Sequence, residues 1–296
     1  MRDIVETLAA WTREGKKFAL ASVVDISGSA PRGVGSSMAV REDGLIAGSV
    51  SGGCVESAVV DAAMRSLKSD EPELLEFGAE SDAALWSVGL SCGGAIKVWV
   101  EPIMVDPEWT SFLEKLGTGQ EAERRLAMPD GDFLQTFAAR ERLFIIGAVH
   151  IAMPLTKFAS ELGMQVTVID PREAFAREER WNNLSCGVIN EWPEKALANI
   201  SFDKNTHLVV LAHDPKIDDN ALFAALRGGA GYVGALGGKK TQLKRRDTLC
   251  RMGLTEEEID RIHGPVGLDI GAENPEEIAL SIIAQIVQVR RRGAAN

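Results

Sequence analysis

Three short glycine-rich segments in the first hundred residues carry side chains that could bind an anionic ligand or a soft metal. The second of these segments, Ser51-Gly52-Gly53, leads directly into a helical pattern that is predicted to start at Cys54. Backbone N–H groups at the start of a helix attract anions, and a cysteine at that place favours its thiolate form. A thiolate suits a soft metal centre or a sulfur-transfer step. We therefore predict that Ser51, Gly52 and Gly53 hold an anionic group and that Cys54 faces the reactive end of a ligand.

The other two glycine-rich segments could add a cation and a second thiol to the same pocket. Arg32 follows Gly28-Ser29-Ala30-Pro31, and its planar guanidinium could make a forked contact with a phosphate. Cys92 and Gly93 lie in the third segment, directly before a predicted strand. The alternative is that the glycines only form tight turns, with Arg32 on a solvated surface and both cysteines acting as small buried apolar side chains.

A turn in the second half of the chain matches most of a dinucleotide-binding pattern. Gly147-Ala148-Val149-His150 lies between a predicted strand and a predicted helix, and Asp170 follows about 20 residues later, where such proteins place the acid that binds a ribose hydroxyl. Val149, however, occupies a position that needs glycine for the pyrophosphate to approach the backbone. The sequence therefore predicts a Rossmann-like domain whose NAD(P) site is weakened by Val149.

Three polar residues are predicted at the carboxyl ends of strands in this second half. These are His150, His213 and Asp214. Ligands of open α/β sheets bind at that edge, so we expect the three side chains to hydrogen-bond a ligand, with a purely structural role as the alternative. His213 and Asp214 could also contribute to a zinc or magnesium site, although their spacing is not diagnostic of one.

The apolar pattern predicts an α/β chain with two different architectures. Residues 1–105 combine a helix, several strands and glycine-rich turns into a small α/β domain, and residues 106–140 have the prolines, glycines and mixed charges of a connector. Residues 141–296 alternate short apolar strands with helices, which implies a Rossmann-like parallel sheet with helices on both faces. Helices are predicted at about 3–14, 54–67, 151–162, 219–227, 239–252, 255–263 and 275–292.

Composition limits the classes of partner. The formal charge of -11 over 296 residues opposes nucleic-acid binding, which requires a basic surface. The N-terminus has no secretory signal pattern, and no apolar run reaches the roughly 18 residues of a membrane span. The 4 cysteines are widely scattered, which is not the pattern of a disulfide framework. We expect a cytoplasmic protein that meets small ligands and protein partners.

Seven motifs follow one another along nearly the whole chain. They are Gly28-Ser29-Ala30-Pro31-Arg32, Ser51-Gly52-Gly53-Cys54-Val55-Glu56, Cys92-Gly93-Gly94, Gly147–His150, Asp170-Pro171-Arg172, Tyr232–Gly237 and Gly264–Gly271. In this order they resemble the XdhC/CoxI family, the accessory factors of xanthine dehydrogenase and related molybdenum hydroxylases. The turn at Gly147 departs from the Gly-Ala-Gly-His that is usual in the family, and Ala212 stands where the family often has threonine.

The resemblance implies an accessory factor that is not itself an enzyme. Such a factor binds molybdenum cofactor (molybdopterin), protects it during sulfuration and delivers it to an apo molybdenum hydroxylase, with a cysteine desulfurase as a second partner. Cys54, with Cys92, would then face the molybdenum–dithiolene end, so that Cys54 is a candidate molybdenum ligand. Glu56 would either complement the helix dipole or hydrogen-bond the pterin ring. The apolar N-terminal helix needs either a partner surface, which makes a homodimer plausible, or a core of its own.

Three other functions remain open from the residues alone. The turn at Gly147 together with Asp170 would suit an NAD(P)-dependent oxidoreductase, or a regulator that binds a nucleotide without turnover. A sulfurtransferase would carry a persulfide on Cys54 or Cys92. The sequence contains no G-x-S-x-G, HExxH or P-loop motif, which removes the common hydrolase and nucleotidase patterns.

Overall fold

The structure is a computed structural model that describes residues 1–78 and 94–293. The chain divides into two compact units, Met1–Ala139 and Arg140–Asn296. Within the described ranges, no helix is long and apolar enough to cross a membrane.

The first unit is built on an antiparallel sheet whose strands, over the described residues, lie in the order β3-β2-β1-β5-β4. β1 is the central strand because it pairs with β2 along one edge and with β5 along the other. The strands of this sheet are β1 (Phe18–Ser27), β2 (Ser37–Arg41), β3 (Ile46–Gly48), β4 (Glu73–Phe77) and β5 (Ala95–Pro102).

Helices cover both faces of this sheet. Alternate residues of β1 enter two different cores: Ala19, Ala21 and Val23 pack with α2, whereas Phe18 and Leu20 pack with α1 and α3. This accounts for a strand that is apolar on both faces and shows no polar alternation. The helices are α1 (Val5–Arg13), α2 (Glu56–Ser69) and α3 (Pro107–Gly117), and a short 3-10 helix (Arg2–Ile4) precedes α1.

Residues 106–140, which the sequence predicts as a connector, fold as part of the first unit. The Asp106 carboxylate caps α3 by accepting the N–H of Trp109 at 2.7 Å, and Pro107 is the first residue of the helix. An antiparallel hairpin follows, formed by β6 (Ala122–Leu126) and β7 (Phe133–Phe137).

The second unit contains a parallel sheet whose described strands lie in the order β10-β9-β8-β11-β12-β13. Counted within this unit, the order is 3-2-1-4-5-6, which is that of a Rossmann fold and confirms the predicted fold class. The chain changes direction across the sheet between β8 and β11, and this is where ligands of such sheets bind. The strands are β8 (Arg142–Ile146), β9 (Gln165–Ile169), β10 (Cys186–Ile189), β11 (Thr206–Val210), β12 (Tyr232–Ala235) and β13 (Ile262–His263).

Two layers of helices enclose the parallel sheet. α4 and α10 pack on one face, against Leu143 and Ile145 of β8, and α7, α8 and α9 pack on the other, against Phe144 and Ile146. Short apolar strands are the expected result of burial on both faces. The helices are α4 (Ala152–Glu161), α5 (Glu173–Ala176), α6 (Pro193–Ala196), α7 (Pro215–Gly228), α8 (Lys239–Arg251), α9 (Glu256–Asp260) and α10 (Pro275–Gly293), with a 3-10 helix at Glu178–Arg180.

Candidate functional site

The glycine-rich loop before α2 folds around a carboxylate from its own helix. Among the residues that the structure describes, four backbone N–H groups and two hydroxyls donate to Glu56. The serine hydroxyls of Ser49 and Ser51 donate at 2.5 and 2.7 Å. The backbone donors are Ser51 at 3.0 Å, Gly52 at 3.0 Å, Gly53 at 2.8 Å and Val55 at 3.2 Å.

These hydrogen bonds make Glu56 a permanent anion. Partial burial by itself would raise the pKa of Glu56, but the donors from Ser49, Ser51 and the backbone outweigh it and lower the pKa to about 2. The arrangement agrees with the predicted complement to the helix dipole, since Glu56 lies in the first turn of α2, and not with a contact to a pterin ring. The N–H groups of Ser51, Gly52 and Gly53 already have an internal acceptor, and Glu56 is turned into the loop by these contacts.

Cys54 lies within this loop, two residues before the helix begins. Its side chain is half-buried against the core that α2 shares with the sheet. Its backbone N–H donates to the Ser51 hydroxyl at 3.0 Å. The thiol is thus carried by a loop whose backbone is fixed on both sides.

The first two glycine-rich segments and Gly94, the described residue of the third, lie close together. A Cβ built on Gly94 would lie 2.2 Å from the carbonyl oxygen of Ser29, which places Gly94 against the first segment. A Cβ built on Gly52 would lie 4.0 Å from the Cβ of Pro31, which places the second segment beside the first. Cys92 and Gly93 lie outside the described residues.

Arg32 has an acidic partner within the first unit. Its Nη2 lies 3.1 Å from a carboxylate oxygen of Asp3, and its side chain is about one-third exposed. A phosphate contact by Arg32, as predicted from the sequence, would therefore compete with this ion pair.

In the second unit, the turns after β8 and β11 touch at the point where the strand order reverses. Gly147 has a φ of +102°, and a Cβ there would lie 2.7 Å from the backbone nitrogen of Ala212. Glycine is required on both grounds, since an L side chain would be strained and would also collide with the neighbouring turn. Val149, two residues later, is half-buried and packs against the core of this unit.

Asp170 does not face an open ribose site. Its side chain is fully buried and forms a two-pronged ion pair with Arg172, with an Nη2–Oδ2 distance of 2.7 Å. It also accepts the N–H of Ala148 at 2.8 Å. Burial alone would raise the pKa of Asp170, but these hydrogen bonds outweigh it and hold the pKa below its usual value. With Val149 in the turn, this gives no support to an ordinary NAD(P) site.

His150 and His213 are both exposed at the carboxyl edge of the sheet, as predicted. His213 has a φ of +59°, a left-handed conformation that is uncommon outside glycine and often occurs at functional sites. Asp214 caps α7 by accepting the N–H of Lys216 at 3.0 Å. Across residues 1–78 and 94–293, no three His, Cys, Asp or Glu side chains cluster as metal ligands would, so the zinc or magnesium alternative gains no support.

A buried ionic cluster behind the His213 turn is not predicted from the sequence. Arg245 of α8 lies 3.3 Å from Asp218 and 3.4 Å from Asp219, and at most 7% of any of the three side chains is exposed. Asp218 also accepts the N–H of Ala212 at 3.3 Å. Burial raises the pKa of Asp218 to about 7, although Arg245 opposes the shift.

A signal for this cluster exists in the sequence. Asp218 stands three and four residues before Ala221 and Leu222, which are buried on α7, and therefore lies on the apolar stripe of that helix. A carboxyl group on such a stripe must either pair with a buried cation or hold a proton. The sequence does not show which cation supplies the charge, because Arg245 is 27 positions away.

Family models match both units. The XdhC and CoxI family matches residues 11–78, and the XdhC Rossmann domain matches residues 143–286. A solved structure described as a xanthine dehydrogenase from Bacillus halodurans shares the fold with a TM-score of 0.82, at 24% identity over 97% of this chain and 96% of that one.

Curated relatives extend over nearly the whole chain. The molybdenum cofactor insertion chaperone PaoD of Escherichia coli is 28% identical over 98% of this chain and 87% of its own length. A relative from Bacillus subtilis, named as a probable xanthine dehydrogenase subunit, is 27% identical over 97% of both chains. The uncharacterized protein YqeB of Escherichia coli is 29% identical over 92% of this chain, which spans 43% of the length of YqeB. From its motifs, its two matched domains and these relatives, the chain belongs to the XdhC and CoxI family.

Proposed function

We propose that this chain is a molybdenum cofactor chaperone, which binds the cofactor and delivers it to an apo molybdenum hydroxylase such as xanthine dehydrogenase. The observation that carries the proposal is the similarity to PaoD, because it runs through both units rather than through the Rossmann domain alone. A cysteine desulfurase as a second partner, a homodimer and a cytoplasmic location belong to the same proposal.

In the first unit, the proposed contact with the cofactor is the thiol of Cys54. The chemistry fits, since a thiolate is a ligand that soft metal centres prefer. The thiol is held in a loop beside the first glycine-rich segment, where the glycines let a flat ligand approach the backbone closely. Cys92 and Gly93 are proposed as further contacts with the cofactor, because they lie in the third glycine-rich segment of the sequence.

In the second unit, the proposed contacts lie at the strand-order reversal. His150 and His213 are exposed there and can donate or accept hydrogen bonds. Gly147 leaves the turn without a side chain, and Asp214 stands at the start of α7. These groups suit binding and release of a polar ligand. Asp170, in contrast, is proposed to organise the turn through Ala148 and Arg172 rather than to touch the ligand.

The test is retention of molybdenum by the purified protein. The protein is mixed with freshly released molybdenum cofactor and passed through gel filtration, and the molybdenum in the protein peak is quantified. We expect near-stoichiometric retention, weakened about tenfold by Cys54→Ser, which corresponds to about 1.4 kcal/mol. Cys250→Ser is the matched control, because Cys250 is also half-buried but lies on α8 of the second unit.

Two results would contradict the proposal. If no molybdenum co-elutes with the wild-type protein, the function of PaoD does not extend to this chain. If Cys54→Ser and Cys250→Ser weaken retention equally, Cys54 is not the contact. Delivery is then tested separately, by the activity that a loaded sample restores to an apo molybdenum hydroxylase.

A further inference from the structure

The loop before α2 has the form of an anion cradle. Gly52 and Gly53 have φ values of +85° and +127°, and this turns successive backbone N–H groups toward one point. Concave arrangements of this kind bind phosphate and other anions in many proteins. Here the point is occupied by the carboxylate of Glu56, three residues after Gly53 in the chain.

The same carboxylate is linked to Cys54 through one hydroxyl group. Ser51 Oγ donates to Glu56 at 2.7 Å and accepts the backbone N–H groups of Cys54 at 3.0 Å and of Val55 at 3.2 Å. Ser51 is buried, with 1% of its surface exposed, so solvent does not readily replace these bonds. The direction of the Cys54 backbone therefore depends on a charge that lies two residues away.

We propose that Glu56 is the built-in anion of this loop: it positions Cys54 before any ligand arrives and excludes external phosphate groups from the cradle. The positioning role rests on the proposed function, in which Cys54 contacts the cofactor. The exclusion of phosphate does not rest on it. Glu56 is thus a positioning residue, and the anionic tail of a cofactor is bound by other groups of the protein.

Two features of the loop support the exclusion of phosphate: its N–H groups already have an acceptor, and that acceptor is negatively charged. Each of the N–H groups of Ser51, Gly52, Gly53 and Val55 already donates to the carboxylate. A phosphate that entered would meet a carboxylate that stays ionised down to about pH 2. Two anions at one point repel each other, so phosphate binding would require Glu56 to leave the loop.

The experiment compares two variants that differ in whether the cradle is empty. Glu56→Ala removes the carboxylate and leaves space for an anion, whereas Glu56→Gln keeps a side chain of the same size without the charge. Thermal unfolding is followed with increasing sodium sulfate or sodium acetate, against sodium chloride at matched ionic strength. We expect both variants to melt below wild type. Sulfate stabilises folded proteins in general, so the readout is the difference between variants. We also expect sulfate and acetate to raise the melting temperature of Glu56→Ala more than that of wild type or Glu56→Gln, beyond the effect of chloride, because only Glu56→Ala has an empty cradle that can bind them.

The positioning role of Glu56 is tested by the reactivity of the cysteines in the same samples. The rate of alkylation by iodoacetamide is measured at each cysteine by mass spectrometry, with Cys250 as the internal reference. We expect Glu56→Ala to change the rate at Cys54 several-fold, acetate to restore it toward the wild-type rate, and the rate at Cys250 to stay the same. A parallel change at Cys250 would show general unfolding and would contradict a positioning role.

The inference is overturned if sulfate and acetate stabilise Glu56→Ala no more than chloride does, or if they stabilise wild type equally. None of these readouts uses molybdenum cofactor. The exclusion of phosphate can therefore fail while cofactor retention succeeds, or succeed while retention fails.

Discussion

The two units use the same kind of sequence, a glycine-rich turn before a helix, for different ends. In the first unit, Glu56 fills the turn before α2 and accepts its N–H groups as a lone anion. In the second unit, Asp170 approaches the turn before α4 from the neighbouring strand, accepts the N–H of Ala148 and is neutralised by Arg172. A helix-opening glycine turn is therefore an anion site only where the protein has not supplied the anion itself.

The difference predicts that loss of Asp170 has the larger effect on stability. Asp170→Ala removes a fully buried carboxylate that accepts the buried N–H of Ala148 and pairs with the partly exposed Arg172, so we expect the free energy of unfolding to fall by about 3 kcal/mol. The measurement is urea unfolding of the whole protein. Glu56→Ala, whose donors are neutral and nearer to solvent, should lose less. An equal or greater loss for Glu56→Ala would remove the contrast between the two turns.

The contact between the turns after β8 and β11 predicts the next effect. Gly147→Ala combines a left-handed φ with a collision against Ala212, and we expect a loss of about 2–3 kcal/mol. Gly163→Ala is the matched control in the same unit, since its φ is +79° but a Cβ there would meet nothing within 4 Å. That variant should lose about 1 kcal/mol. Similar losses for both, measured by urea unfolding, would show that the turns do not press together.

The buried cluster predicts a pH dependence that is opposite in sign to that of Glu56. Because the pKa of Asp218 is raised from 3.8 to about 7, the native state holds a proton that the unfolded chain loses. Its contribution is complete below pH 3.8 and is lost as the pH rises through about 7. Asp218→Asn should flatten the stability profile over this window.

Glu56 provides the comparison for that profile. Its pKa is lowered from 4.5 to about 2, so its contribution is present above pH 4.5 and is lost as the pH falls toward 2. Glu56→Gln should therefore flatten the acid limb and leave the neutral window unchanged. If Asp218→Asn leaves the slope of unfolding free energy against pH between pH 4 and 7 as it is in wild type, Arg245 keeps Asp218 ionised throughout. The pH dependence in this range is then not due to protonation of Asp218.

The sequence alone determined most of the elements and the fold class. Short apolar strands, helix-starting prolines and the order of seven motifs depend on local periodicity and backbone preference, which a linear pattern records. The pattern does not predict the strand β10 or the two-residue β13, because Cys186–Ile189 is half-exposed and alternates weakly and Ile262–His263 is too short to show a period. Residues 106–140 have the pattern of a connector because their buried residues are spread over one helix and one hairpin.

Only the tertiary structure decided which polar groups already have a hydrogen-bond or ion-pair partner within the protein. Glu56 could face a ligand or its own loop, and nothing in the spacing distinguishes the two, since the same donors satisfy either acceptor. The hydrogen bond from Ala148 to Asp170, the partnership of Asp218 with Arg245 and the contact of Gly147 with Ala212 join atoms that are distant in the sequence. Hydrophobic periodicity is local and can be read along the chain, whereas the pairing of buried charges depends on which segments the fold brings together.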